Sequence, residues 1–422
     1  MNDYWHSVIL EEDYCNGCTH CLDRCPTQAI RIVDGKAKII NERCIDCGEC
    51  LKVCPFKAKG ALVDGLEMLD NFKFNIALPS ISLYGQFSKE FEINKLFNCF
   101  YKLGFDFVFD VAYAADLLVS RQLKKLQNKG LQKPLISTFC PAVVRLIQLK
   151  YPSLIDHIIP LETPMEVAAR IVRQEVMEKT GFSYDEIGIF YITECPAKIT
   201  SIKKPVGIEK SYVDGALSIE SIYAKLMKIY DELGSGRHIE SVQQASAKGI
   251  GWGKVGGQSI AMGIENYMAV DGVEEVIKVL DKVESGRISD VDFIEAYSCV
   301  TGCVGGPLNV ENPFIAKSRI RQLTTQYPQE VDLTKYADVE DSFFEWNQEI
   351  EPLQVMKLDS DIKVALQKMT KIEELFQHLP GINCGACGAP TCRALAEDIV
   401  MGRASFEDCV VLRNSKKEGS EG

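Results

Sequence analysis

The sequence predicts an α/β protein, with parallel sheets flanked by helices at its centre and a small domain on each side. Two observations carry this. Between residues 74 and 193, short apolar β-rich runs alternate with runs of helical periodicity, as in a parallel sheet. Outside that region the chain changes to cysteine-dense stretches with glycine-rich loops. The expected boundaries are 1–65 for a small α+β domain, 66–365 for the α/β region and 366–422 for a small helical domain. A length of 422 residues suits about two to four domains.

The bulk properties narrow the function. The formal charge is −12, with 46% apolar and 25% charged residues. An acidic chain is a poor partner for nucleic acid or an anionic membrane. There is no uninterrupted apolar run of transmembrane length, and MNDYWHSVILEEDYC lacks the apolar core of a signal peptide. A soluble, cytoplasmic protein is expected. Seventeen cysteines are too many for an ordinary core. A disulfide framework belongs to short secreted chains, so metal binding is the expected use.

The first segment holds an internal repeat. CNGCTHCLDRCP (15–26) recurs as CIDCGECLKVCP (44–55), each a C-x2-C-x2-C-x3-C-P run. This is the bacterial ferredoxin spacing, in which the fourth cysteine ligates the other cluster. Three cysteines in a tight loop wrap three corners of a cubane, and the crossing fourth locks the halves together. One 4Fe–4S cluster is therefore expected at Cys15, Cys18, Cys21 and Cys54, and a second at Cys44, Cys47, Cys50 and Cys25. Zinc is the competing metal. Between the runs, AIRIVDGKAKII reads as a hairpin turning at Asp34-Gly35.

The α/β region follows. Strands are expected at 74–78, 105–110, 134–139 and 187–193, and helices at 89–103, 117–130 and 141–154. Cys140 and Cys195 each lie just past a predicted strand end and before a proline. Ligands of open α/β sheets bind at such ends, and proline suits the first position of a helix. A helix N-terminus also favours a thiolate. Farther on, EAYSCVTGCVGG (295–306) sets Cys299 and Cys303 among glycines at a spacing foreign to both ferredoxin runs. Four unassigned cysteines make one further cubane. In the last segment, Cys384, Cys387, Cys392 and Cys409 form C-x2-C-x4-C-x16-C with a helix from Arg393, a third such site, with zinc again the alternative. Cys99 is left over, in an amphipathic helix, and reads as core.

The motifs STFCPAVVRL, ITECPAKI and EAYSCVTGCVGGP resemble, in order and spacing, the three signature motifs of the FeFe hydrogenases. The resemblance runs from the ferredoxin segment to about residue 350. The C-terminal segment resembles an iron–sulfur domain of various redox proteins, among them sensory members of that family. The resemblance implies a two-lobed H-cluster domain. Cys140, Cys195, Cys299 and Cys303 would hold its cubane, and Cys303 would bridge to a two-iron unit with CO, CN and dithiolate ligands. Lys198 matches the lysine that pairs with one cyanide, and Pro79 and Ser80 match residues near the other.

The departures from the family pattern are informative. Phe139 stands where active members have a proton-shuttling cysteine, and it cannot carry a proton. Gln122 and Lys125 stand at the relay glutamates, and Ile159 at the relay serine. Thr193 and Tyr297 replace methionines beside the two-iron site. Glu194 and Glu295 are nearby carboxylates that could serve instead. The resemblance therefore implies a slow, reversible hydrogenase of the sensory branch. It would pass redox state to ferredoxin or to a signalling kinase or phosphatase, with its two-iron unit installed by maturation proteins. The alternatives are a catalytic hydrogenase with a modified proton path and a hydrogenase-like iron–sulfur protein without hydrogen chemistry.

Overall fold

Seven short strands make two parallel sheets in the α/β region. In the first, Phe107–Val108, Phe74–Pro79, Ile187–Thr193 and Gly215–Ser218 lie side by side in that order, all parallel. In the second, the order is Tyr267–Asp271, Phe293–Tyr297, Leu135–Ile136, again parallel. IGIFYIT is apolar throughout because it is paired on both sides and buried along its whole length. These strands belong to a computed structural model that describes residues 6–418, apart from 89–90, 234–241, 243, 337, 354 and 356–357. Residues 1–5, where the reading of the N-terminus began, lie outside it, as does the start of the helix expected from 89.

The chain divides into two compact units. One is Leu62–Pro352 with Met1–Ser7, and the other is Val8–Ala61 with Leu353–Gly422. In the first, the strand expected over 105–110 shrinks to Phe107–Val108. It is an edge strand, and Asp110 leaves the ladder to cap the helix Val111–Gln127, its carboxylate accepting from Ala112 N at 3.0 Å. The strand expected over 134–139 likewise pairs only at Leu135–Ile136. The helix expected over 141–154 stops at Lys150, where Pro152 opens a separate turn of 3-10 helix. Cys99 is fully buried in the helix Ile93–Lys102, among Leu96, Phe97 and Phe100.

The second unit joins the two ends of the sequence. Ile30–Val33 and Lys36–Ile39 form the hairpin, with Asp34 at φ 52° and Gly35 at φ 73°. Both turn residues are left-handed, as a two-residue I′ turn requires. The helices Ile362–Gln377 and Cys392–Val400 pack around Ile372, Leu379 and Leu395. The second of these helices makes two buried ion pairs: Asp398 with Arg31 of the hairpin, and Glu397 with Arg43 just beyond it. Ile32 N also donates to Gly388 O at 2.9 Å. Gly388 has φ +82°, and a β-carbon there would lie 2.0 Å from Ile32 O, so only glycine fits.

Candidate functional site

Three strand ends supply the central cysteines. Cys140 follows Leu135–Ile136 and caps the helix Pro141–Lys150. Cys195 follows Ile187–Thr193 and caps Pro196–Lys203. In both, proline takes the first helical position. Cys299 and Cys303 follow Phe293–Tyr297. The four converge. Ser298 Oγ lies 3.6 Å from Cys140 Sγ and 3.9 Å from Cys299 Sγ. Cys195 has Cys299 and Cys140 as charged neighbours, and Cys303 has Cys140 and Cys195. Burial pushes the Cys195 and Cys303 thiols well up, and the neighbouring thiols add to it. None of the cysteines is in a disulfide.

Beside them lies a buried ion pair. Lys198 Nζ donates to Glu194 Oε1 at 2.6 Å and to Tyr191 Oη at 3.1 Å, and lies 3.8 Å from Cys303 Sγ. Ser80 Oγ donates to Glu194 Oε2 at 2.6 Å. Burial opposes both charges. The Lys198 ammonium nevertheless holds Glu194 below the usual carboxylate range, and Cys303 and Glu194 hold Lys198 well above the usual lysine value. Pro79 is buried at the end of its strand, one residue before Ser80. Thr193 turns its hydroxyl to the backbone of Cys195, accepting from its N–H at 3.1 Å.

Phe139 closes another side. Its ring meets Trp252 and Tyr297 edge-on at 5.7 and 6.0 Å, and Lys198 Nζ sits 4.8 Å from its centre. Tyr297 Oη accepts from Gln258 Nε2 at 2.9 Å and lies 2.9 Å from Glu295 Oε1 and 3.0 Å from Trp252 O. Glu295 Oε2 accepts from Ser259 N and Oγ at 3.0 and 2.8 Å, and burial raises this carboxyl. Gln258 Oε1 accepts from Ser137 Oγ at 2.7 Å and from Gln122 Nε2 at 3.1 Å. Gln122 thus joins this buried network. Lys125 pairs elsewhere, with Glu345, and Ile159 is plain core. Sequence reasoning did not find Tyr191, Ser137, Gln258 or Ser259; no local spacing marks them.

In the second unit the cysteines form three groups. Cys21 has Cys18, Cys54 and Cys15 as charged neighbours, and Cys47 has Cys25, Cys50 and Cys44. The fourth cysteine of each run therefore crosses to the other group. Backbone N–H groups of Ala37, Ala29 and Ala58 face Cys15, Cys25 and Cys54 sulfurs at 3.2 to 3.4 Å. Cys384, Cys387, Cys392 and Cys409 line a single cavity with Pro380 and Leu395.

These sites fit iron–sulfur clusters. Each gathers four unbridged thiols, and thiolate sulfur is the ligand such clusters take. Lys59 adds a second observation. It is buried, its Nζ has no hydrogen-bond partner, and it acts electrostatically on both Cys21 and Cys50. An isolated buried ammonium is costly, and anionic groups on either side would compensate it. In the central pocket the buried Lys198 ammonium faces the cysteines in the same sense.

Residues 7–55 match the family described as 4Fe-4S dicluster domain, and residues 379–411 match an Fe-S cluster family. NADP-reducing hydrogenase subunit HndD of Solidesulfovibrio fructosivorans is 22% identical over 47% of this chain; the match covers only 40% of that subunit. Iron hydrogenase 1 of Clostridium pasteurianum is 21% identical over 76% of this chain and 69% of its own length. The solved structure of a variant of FeFe-hydrogenase HydA1 from Chlamydomonas reinhardtii superposes with a TM-score of 0.50 and 14% identity. It covers 68% of this chain and 98% of that one, so the α/β fold with its parallel sheets is that of an FeFe hydrogenase. The family described as iron only hydrogenase large subunit, C-terminal domain, matches residues 75–265 and 226–307, together more than half of the sequence. The chain belongs to that family.

Proposed function

We propose that the chain is a sensory FeFe hydrogenase that converts H2 slowly and reversibly to protons and electrons. Cys140, Cys195, Cys299 and Cys303 hold the H-cluster, and the other three cysteine groups hold 4Fe–4S clusters that relay its redox state. Bound there, the H-cluster supplies the iron that binds and splits H2. The chain's own residues shape its surroundings. Lys198 sets a hydrogen-bond donor beside Cys303, and Ser80, bonded to the same Glu194 carboxylate, lines the pocket with Pro79. Phe139, Trp252 and Tyr297 wall off water.

Phe139 carries the slow reading. It packs its ring where a proton carrier is needed, and no hydroxyl or carboxylate replaces it at that position. Loss of a general acid–base group typically costs about 10² to 10⁴ in rate. A slow turnover suits an output read as redox state by a signalling protein such as a kinase or phosphatase, or by ferredoxin. The two-iron unit would come from maturation proteins. Among the described residues no helix is long and apolar enough to cross a membrane.

The test is Phe139→Cys in the fully loaded protein. H2 evolution is expected to rise by about 10²-fold or more. A parent protein already as fast as this variant would overturn the sensory reading. One observation favours the second reading, a catalytic enzyme with a modified proton path: Tyr297 and Glu295 form a hydrogen-bonded pair beside Phe139. On that reading the parent is fast, and Glu295→Gln slows it.

A further inference from the structure

Glu194 is fully buried, and its carboxylate is paired with the equally buried Lys198 ammonium. It stands next to Cys195 and reaches the two residues that the pocket offers as donors. Its Oε1 takes one proton of Lys198 at 2.6 Å, and its Oε2 takes the hydroxyl proton of Ser80 at 2.6 Å. Ser80 has only one proton to give. Given to Glu194 at 2.6 Å, that proton is spent, and the oxygen is left as an acceptor toward Ser82, whose N–H lies at 3.2 Å and whose hydroxyl lies at 2.9 Å. Lys198 gives a second proton to Tyr191, which leaves one for the side of Cys303.

The backbone holds this arrangement in place. Leu308 N donates to Glu194 O at 3.0 Å. A β-carbon at Gly306 would fall 2.7 Å from Glu194 Cγ and 2.5 Å from Glu194 O. The last glycine of GCVGG is therefore the space that the Glu194 side chain occupies. Two separate motifs, one carrying Cys195 and one carrying Cys303, are shaped around this carboxylate.

We propose that Glu194 is a positioning residue of the pocket. By bridging Lys198 and Ser80 it directs the single free ammonium proton toward the Cys303 side and withdraws the Ser80 hydroxyl. It also offsets the lysine charge that an anionic iron ligand would otherwise meet. This rests on the H-cluster reading above, and it adds to that reading a carboxylate that sets the electron density at the iron.

The test compares the parent, Glu194→Gln and Glu194→Asp. The first readout is infrared spectroscopy of protein loaded with the two-iron cofactor. The second is an EPR redox titration of protein reconstituted with iron and sulfide alone. Glutamine keeps the shape and drops the charge, so at least one CN band moves to higher wavenumber and the central cubane's potential rises. Aspartate keeps the charge but is too short to span both donors, so a CN band moves while the potential stays near the parent value. Ser80→Ala adds a double-mutant cycle. Its band shift is small in the parent, where the hydroxyl is already engaged, and larger in the Glu194→Gln background. If the parent shows CN bands and Glu194→Gln moves neither bands nor potential, the Glu194 proposal is overturned. If the parent shows no CN bands and only three cubanes, it is the H-cluster reading that fails.

Discussion

In the central pocket, four cysteines arrive from strand ends between Cys140 and Cys303, and they are packed among buried charges. At the C-terminal site, four cysteines arrive from one stretch between Cys384 and Cys409, and the first of them is exposed. The two sites gather the same ligands by opposite means. The central one depends on two sheets and on an ion pair with 0% and 5% side-chain exposure. The C-terminal one depends on a glycine loop laid against the strand Ile30–Val33. Buried charge differs in the same way. Arg31 and Arg43 each meet an acid in the second unit, whereas the first unit also buries Glu162 and Glu166, with carboxyl oxygens given to hydroxyl and N–H groups or to none. A local site tolerates exposure and can be read from spacing. A non-local one holds charge in the dark and needs the whole fold.

The sharpest way to break this contrast is Lys198→Ala. It strands Glu194 as a buried unpaired charge, and removing one partner of such a pair costs about 3–5 kcal/mol. Chemical denaturation should show that loss in the first unit, with the cysteine sites of the second unit unaffected. A loss below about 1 kcal/mol would mean that the pocket does not rest on the pair.

The next effect is one of pH. Burial first, and then the charge of Glu166, push Glu162 up to about 8, while burial pushes Glu166 up to about 7. Raised carboxyls mean that the folded chain keeps protons which the unfolded chain releases. Stability is therefore greatest below about pH 4.5 as far as these groups go, and it falls as pH climbs toward 8. The loss expected from Glu162 is on the order of 2–4 kcal/mol. Glu162→Gln should flatten that slope in a urea titration run at several pH values. An unchanged slope would place the effect elsewhere.

The smallest effect tests the local site. Gly388→Val puts a side chain at φ +82° and against Ile32 O. A cost on the order of 1–3 kcal/mol is expected. It should appear as loss of the EPR signal of the C-terminal cluster, with the central pocket unchanged. A signal that survives intact would show that the loop can part from the strand.

How far the sequence could be read follows the same line. The cysteine runs and the Asp34-Gly35 turn were legible because each is a feature of adjacent residues. The parallel sheets were legible from alternation, although edge strands such as Phe107–Val108 came out shorter once Asp110 turned away to cap a helix. The bridge from Ser80 to Glu194 spans 114 residues, and the bond from Ser137 to Gln258 spans 121. No periodicity reports such pairs. Resemblance to a family flagged Lys198, but only the fold shows that a carboxylate shares it with Ser80.

The joining of the two sequence ends has a consequence in time. The hairpin that carries Arg31 and Ile32 leaves the ribosome well before the segment that carries Asp398 and Gly388. Roughly 290 residues of the first unit are made in between. At about 5–20 residues per second, that is a wait on the order of 15–60 s. Throughout it, the buried guanidinium of Arg31 has no acid to meet, and the edge of its strand is open. Until then residues 8–61 have only their own contacts, the crossed cysteines among them.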